Sequence, residues 1–217
     1  MREDFARLFR HSGIYLIGNI LNRVGAFLLL PLYTSFLSVG EFGTLEILYS
    51  TVSIASVILS AGLSHTTIRF YFDKKDEDAR NRIVVTNFAI VFVLGLAGAP
   101  LLIVFRSSLS NAILGSPAFG SEIATCLSIM VMEMSAEIGY AYLRARERSV
   151  LFIWIAFGKL LIQVAASIYM VAVLNKGIQG VLFANLISVG LVWLFIASYV
   201  VRHCGTSMSP GDLNPML

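Results

Sequence analysis

The sequence predicts an all-α polytopic membrane protein with six transmembrane helices, and two observations carry that prediction. Hydrophobic residues fill 57% of the 217 positions and charged residues only 13%, against about 25% charged in ordinary soluble domains. A water-soluble core of this size cannot hide so much apolar surface, so the excess faces lipid. The apolar residues also gather into runs near the length of about 20 residues that crosses a bilayer as a helix. These runs lack the polar and apolar alternation of barrel strands, which leaves helices as the spanning elements.

The expected spans are residues 13–37, 44–64, 83–105, 123–143, 151–174 and 178–201. Together they make residues 1–201 one six-helix lobe, with 202–217 as a cytoplasmic linker. Met1 to His11 reads as a short amphipathic segment at the inner surface, Phe5, Leu8 and Phe9 towards lipid and Arg2, Arg7 and Arg10 at headgroups. No cleavable signal peptide is expected, because the first run is long and is interrupted by Asn19, Asn22 and Arg23. Pro31 bends this first helix. Polar connections are expected at Ser38–Gly43, Asp73–Arg82, Ser107–Ser121, Arg144–Ser149 and Asn175–Gly177. The third span is the least polar and is expected to meet lipid most, with Gly95 and Gly98 as packing or bending residues. Trp154 and Trp193 read as anchors near span ends.

Orientation follows from the basic residues, which favour the cytoplasmic side of short loops. With the N-terminus inside, that side holds Arg2, Arg7, Arg10, Arg69, Lys74, Lys75, Arg80, Arg82, Arg144, Arg146, Arg148 and Arg202, and the opposite side only Arg106 and Lys176. The net charge of +3 thus reports topology and does not indicate nucleic acid.

Two basic residues remain, Arg23 and Lys159, and they lie within spans together with Glu133 and Glu137. A charge at mid-membrane costs roughly 2.5–3.5 kcal/mol on insertion scales, so such groups face a shared polar interior or pair with one another. Their helices carry polar stripes at three- and four-residue steps: Tyr15, Asn19, Asn22 and Arg23 in the first, Glu133, Glu137, Tyr140 and Arg144 in the fourth, Lys159, Gln163 and Ser167 in the fifth. At about 1.5 Å rise per residue, Arg23 and Glu133 lie about 15 Å from the inner ends of their spans, Lys159 about 12 Å and Glu137 about 9 Å. One charged chamber, as in a transporter, accounts for that common level; structural ion pairing accounts for it equally and can coexist with transport. A second stripe, Glu46, Ser50, Ser53, Ser56, Ser60 and Ser64, reads as a helix-packing face of small residues.

Enzyme chemistry finds no support. The chain has no Walker-type phosphate loop, no His-Glu-x-x-His zinc motif and no Gly-x-Ser-x-Gly elbow. Cys126 and Cys204 have neither disulfide nor zinc spacing, and His65 has no metal-ligand neighbours in sequence. No catalytic residue, metal or cofactor is expected.

Several segments, in order, carry a family resemblance: Leu21-Asn22-Arg23-Val24-Gly25-Ala26-Phe27, Pro31-Leu32-Tyr33, Leu37-Ser38-Val39-Gly40-Glu41-Phe42-Gly43, Ile68-Arg69-Phe70-Tyr71, Tyr142-Leu143-Arg144-Ala145-Arg146 and Gly177-Ile178-Gln179-Gly180. The chain resembles the first lobe of bacterial polysaccharide and O-antigen flippases, of the multidrug, oligosaccharidyl-lipid and polysaccharide exporter superfamily. The resemblance implies two six-helix lobes around a central cavity, the second supplied by a continuing chain or by a homodimer. It implies an inner-membrane protein of surface polysaccharide or lipopolysaccharide synthesis that moves a polyprenyl-pyrophosphate-linked oligosaccharide outward, possible company with a glycan polymerase, and no nucleic-acid partner. On that reading Arg23 and Lys159 meet pyrophosphate or acidic sugars, Asn19, Asn22 and Gln163 meet sugar hydroxyls, and Glu133 with Glu137 couples transport to a proton. A multidrug or cation antiporter of the same superfamily and a noncatalytic membrane scaffold of a glycan-assembly complex are the alternatives.

Overall fold

The structure is a computed structural model that describes residues 20, 24–25, 27–60, 63–73 and 76–205. Every regular element among them is helical: α1 Phe27–Phe36, α2 Val39–Ser60, α3 Leu63–Asp73, α4 Glu77–Val104, α5 Arg106–Leu114, α6 Gly120–Ala145, α7 Ser149–Ser167 and α8 Gly177–Cys204. A 3-10 turn, Pro117–Phe119, leads into α6, and a π-helical segment, Ile168–Val173, continues α7. Four of the described helices are long and apolar enough to cross a membrane: Glu77–Ala97, Pro117–Ala145, Ser149–Val173 and Gly177–Cys204.

The central element is α6, which packs against α3, α4 and α8, while α7 lies mainly on α8. Two apolar cores result. Towards the cytoplasmic end of the expected topology, Tyr71, Val84, Phe88, Ile138, Tyr142, Ile196 and Val200 join α3, α4, α6 and α8. At the other end Leu29, Tyr33, Leu45, Leu48, Ile123, Val171, Val181 and Leu182 join α1, α2, α6, the π segment and α8. Close approach is built with glycine. A methyl group on Gly139 would lie 2.1 Å from Ile196 Cγ2, and one on Gly95 would lie 2.4 Å from Val131 Cγ1, so these positions let α6 meet α8 and α4 at short range.

Some polar groups inside the bundle join its helices, while Arg82 Nε, Thr86 Oγ1 and Arg146 Nε are buried without a hydrogen bond among the described residues. Asn87 Nδ2 donates to Thr67 Oγ1 at 2.9 Å, and Tyr33 OH lies 3.1 Å from Ser167 Oγ, joining α1 to the end of α7. Where α6 ends and α4 begins, Arg146 pairs with Glu77 at 2.5 Å and covers the Tyr142 ring.

Several expectations are corrected. The connection after α1 is only Leu37 and Ser38, because Ser38 and Glu41 form a reciprocal cap: Ser38 N–H and Oγ donate to Glu41 Oε2, each at 2.8 Å, and Glu41 N–H donates to Ser38 Oγ at 3.3 Å. Two of the first-turn donors are thereby satisfied, and helix starts at Val39 rather than after Gly43. The connection 107–121 is mostly helical, as α5 and the 3-10 turn. The third expected span is not the most lipid-facing: 41% of its apolar window is buried, against 22% for Ser149–Val173. An apolar helix face reads the same whether it meets lipid or protein, and here Val84, Phe88 and Val91 meet protein. Trp193 is no interfacial anchor, since its Nε1 donates to Ser135 Oγ at 2.7 Å and its ring stacks on Phe92. The α2 serine stripe packs less than expected: Glu46, Ser50 and Ser53 are exposed and Ser56 half-buried. The amphipathic segment 1–11, the start of the first span, Lys74, Lys75 and most of the 202–217 linker lie outside the described residues.

Candidate functional site

Both α6 and α7 lie along α8 but touch one another little, and the gap between them is a cavity of about 330 Å³. The α6 wall is Glu133, Ala136, Glu137, Tyr140 and Arg144, the α7 wall Phe152, Ala156 and Lys159, and Val189 and Val192 of α8 form the apolar floor. Steps of four, three and four residues put Glu133, Glu137, Tyr140 and Arg144 on one side of α6. The small side chains of Ala136 and Ala156 leave the space open between the charged groups.

Two ion pairs cross this cavity or line it. Lys159 Nζ on α7 donates to Glu133 Oε1 on α6 at 2.9 Å. Further along α6, Arg144 Nη2 donates to Glu137 Oε1, two turns before it on the same helix, at 2.7 Å. Tyr140 lies between the glutamates and Arg144 along the helix and packs edge-on against Phe152. The cations are the more covered partners: Lys159 and Arg144 side chains are 23% and 31% exposed, Glu133 and Glu137 45% and 48%. Pairing offsets the cost of placing Lys159, Glu133 and Glu137 within the expected spans. Partial exposure to a cavity also means that each pair can be opened by a competing ion without first unpacking a core.

The structure thus brings together three of the residues singled out in the sequence, Glu133, Glu137 and Lys159. It adds Arg144 and Tyr140, whose spacing from Glu137 already placed them on the same stripe. Gln163, one turn beyond Lys159 and half-buried, does not line this cavity. Arg23, Asn19 and Asn22 lie outside the described residues. Among the described residues no cluster of His, Cys, Asp and Glu forms a metal centre, and Cys126 and Cys204 are buried free thiols.

An all-helical membrane protein with two ion pairs along a cavity inside its apolar bundle is the class that fold and geometry define. A family model described as polysaccharide biosynthesis protein matches residues 8–215, and the chain belongs to that family. Searches of curated proteins and of solved structures returned no match.

Proposed function

We propose that this protein moves a polyprenyl-pyrophosphate-linked oligosaccharide from the inner to the outer leaflet of the cytoplasmic membrane, by alternating access, for surface polysaccharide synthesis. The observation that carries the reading is the cavity itself: Lys159 and Arg144, each held by a glutamate, in the bundle of a polysaccharide biosynthesis family member.

An anionic head entering the cavity competes with Glu133 for Lys159 and with Glu137 for Arg144. Charge-assisted hydrogen bonds from an ammonium and a guanidinium to phosphate are among the stronger polar contacts, and the guanidinium can bind two oxygens at once. The glutamates so released are the groups available to take up a proton. Cargo binding and proton uptake are then linked by exchange of partners, and the order reverses on release. Gln163, Asn19, Asn22 and Arg23 are further contacts for sugar and pyrophosphate, and a second six-helix lobe, in a longer chain or a partner copy, closes the translocation pathway. The N-terminus lies in the cytoplasm, the protein performs no covalent chemistry of its own, and a glycan polymerase is the expected neighbour that receives the cargo.

Cells lacking the gene should lose surface glycan, and the intact gene should restore it while Lys159→Ala does not. Unchanged surface glycan together with altered tolerance to cationic drugs would place the protein with the antiporters instead.

A further inference from the structure

The charged cavity has an apolar neighbour. On the outer side of the α7–α8 pair, Trp154, Ile155, Gly158 and Ile162 of α7 face Leu191, Val192 and Phe195 of α8 across a groove of about 380 Å³. Lys159 and Val192 line both spaces, so the groove and the cavity meet at the side chain of Lys159. Trp154, Leu191 and Phe195 are each about half exposed or more, which leaves the mouth of the groove open within the apolar bundle face.

Gly158 gives the groove its depth. Gly139 and Gly95 sit where a methyl group would collide with a neighbouring helix, whereas one on Gly158 would meet nothing within 4 Å. A glycine inside a helix costs about 1 kcal/mol relative to alanine, and among the described residues no close helix contact accounts for that cost at Gly158. What its missing side chain does is keep the space beside Lys159 empty.

We propose that the groove between α7 and α8 holds the polyisoprenoid chain of the lipid carrier while its pyrophosphate reaches Lys159 at the junction with the cavity. The inference rests on the proposed function and assigns the second half of the same ligand. Charge complementarity selects the occupant: an apolar slot that ends at a membrane-embedded ammonium matches a long hydrocarbon with an anionic head at one end. A chain seated there points the attached sugars into the side lined by Glu133, Glu137, Tyr140 and Arg144.

The test uses the full chain in phosphatidylcholine nanodiscs with two probes, a polyprenyl pyrophosphate carrying a diazirine on its chain and inorganic pyrophosphate. The diazirine should crosslink to Trp154, Ile155, Ile162, Leu191 or Phe195. Gly158→Leu, which fills the slot, should weaken that crosslinking about tenfold, the loss expected when roughly two methylenes are no longer buried. Inorganic pyrophosphate should protect Lys159 from acylation in wild type and in Gly158→Leu alike, which also reports that the variant is folded. Crosslinks that fall elsewhere, that survive Gly158→Leu, or that excess phosphatidylglycerol removes as readily as unlabelled polyprenyl pyrophosphate would overturn the groove assignment. Failure of pyrophosphate to protect Lys159 would count against the cavity reading while leaving groove crosslinking, if seen, to stand by itself.

Discussion

Lys159 and Glu133 lie 26 positions apart on adjacent helices, and their Nζ and Oε1 atoms meet at 2.9 Å at the edge of a cavity inside an apolar bundle. Removing one partner leaves the other charge without compensation at membrane depth, where it is costly. Lys159→Met and Glu133→Gln should therefore each lower the melting temperature in detergent, and the double variant should recover part of the loss, with a coupling of roughly 1 kcal/mol given their partial exposure. Additive losses would mean that the pair contributes nothing to the fold. In cells, Lys159→Arg should retain more glycan export than Lys159→Met, because only the former keeps the cation.

Gly139 sets the separation of α6 and α8. With Ile196 Cγ2 only 2.1 Å from where a methyl group would sit, Gly139→Ala should destabilise by about 1–3 kcal/mol through overpacking. Ile196→Ala, which empties a buried core position and costs about 2–5 kcal/mol by itself, should cost less in the Gly139→Ala background than in wild type, because there it also removes the clash. A single variant as stable as wild type in thermal unfolding would contradict the close approach.

The cap at the start of α2 carries a pH dependence. Hydrogen bonds from the Ser38 backbone N–H and hydroxyl hold the Glu41 carboxyl below its ordinary value of 4.5. A carboxyl depressed by folding contributes stability above its unfolded value, and that contribution is lost as pH falls through the depressed folded value. The stability difference between wild type and Glu41→Gln should accordingly be constant at neutral pH and shrink below about pH 4.5 as the carboxyl gains its proton. Ser38→Ala should cost about 1 kcal/mol at neutral pH, as the loss of a helix cap generally does.

Trp193 links α8 to α6 through its indole N–H and Ser135 Oγ at 2.7 Å. Trp193→Phe keeps most of the ring contact with Phe92 and loses the hydrogen bond, so it should destabilise by about 1 kcal/mol, which denaturant unfolding can measure. Ser135→Ala in a Trp154→Phe background, where Trp193 alone emits, should blue-shift the emission if the bond is made; identical spectra would contradict it.

The α6 wall of the site was legible in the sequence because a helix converts spacing directly into a face: Glu133, Glu137, Tyr140 and Arg144 needed no tertiary information to be placed together. Which cation meets which glutamate was not legible, since that depends on how α6 and α7 settle on α8. The reading of α4 as lipid-facing failed for a related reason, as Val84, Phe88 and Val91 carry no mark that distinguishes a protein neighbour from a lipid one. Trp193 misled because an amphipathic ring suits a membrane interface as well as an internal hydrogen bond. The early start of α2 could have been found: Ser38 and Glu41 stand three residues apart before an apolar run, the spacing of a capping box. Gly158 carried no signal at all, because a glycine that keeps a groove open and one that lets helices touch look alike until the neighbours are known.

The central claim is that the charged cavity serves outward passage of a lipid-linked glycan. Mass spectrometry of polyprenyl-linked oligosaccharides, with their accessibility to an impermeant glycosidase at the outer face, tests it most directly in cells with the gene, without it, and with Lys159→Ala. The account predicts that loss of the gene and Lys159→Ala both raise the intermediate pool and leave it inaccessible from outside. An intermediate pool of normal size and normal outer-face accessibility in cells without the gene would contradict it.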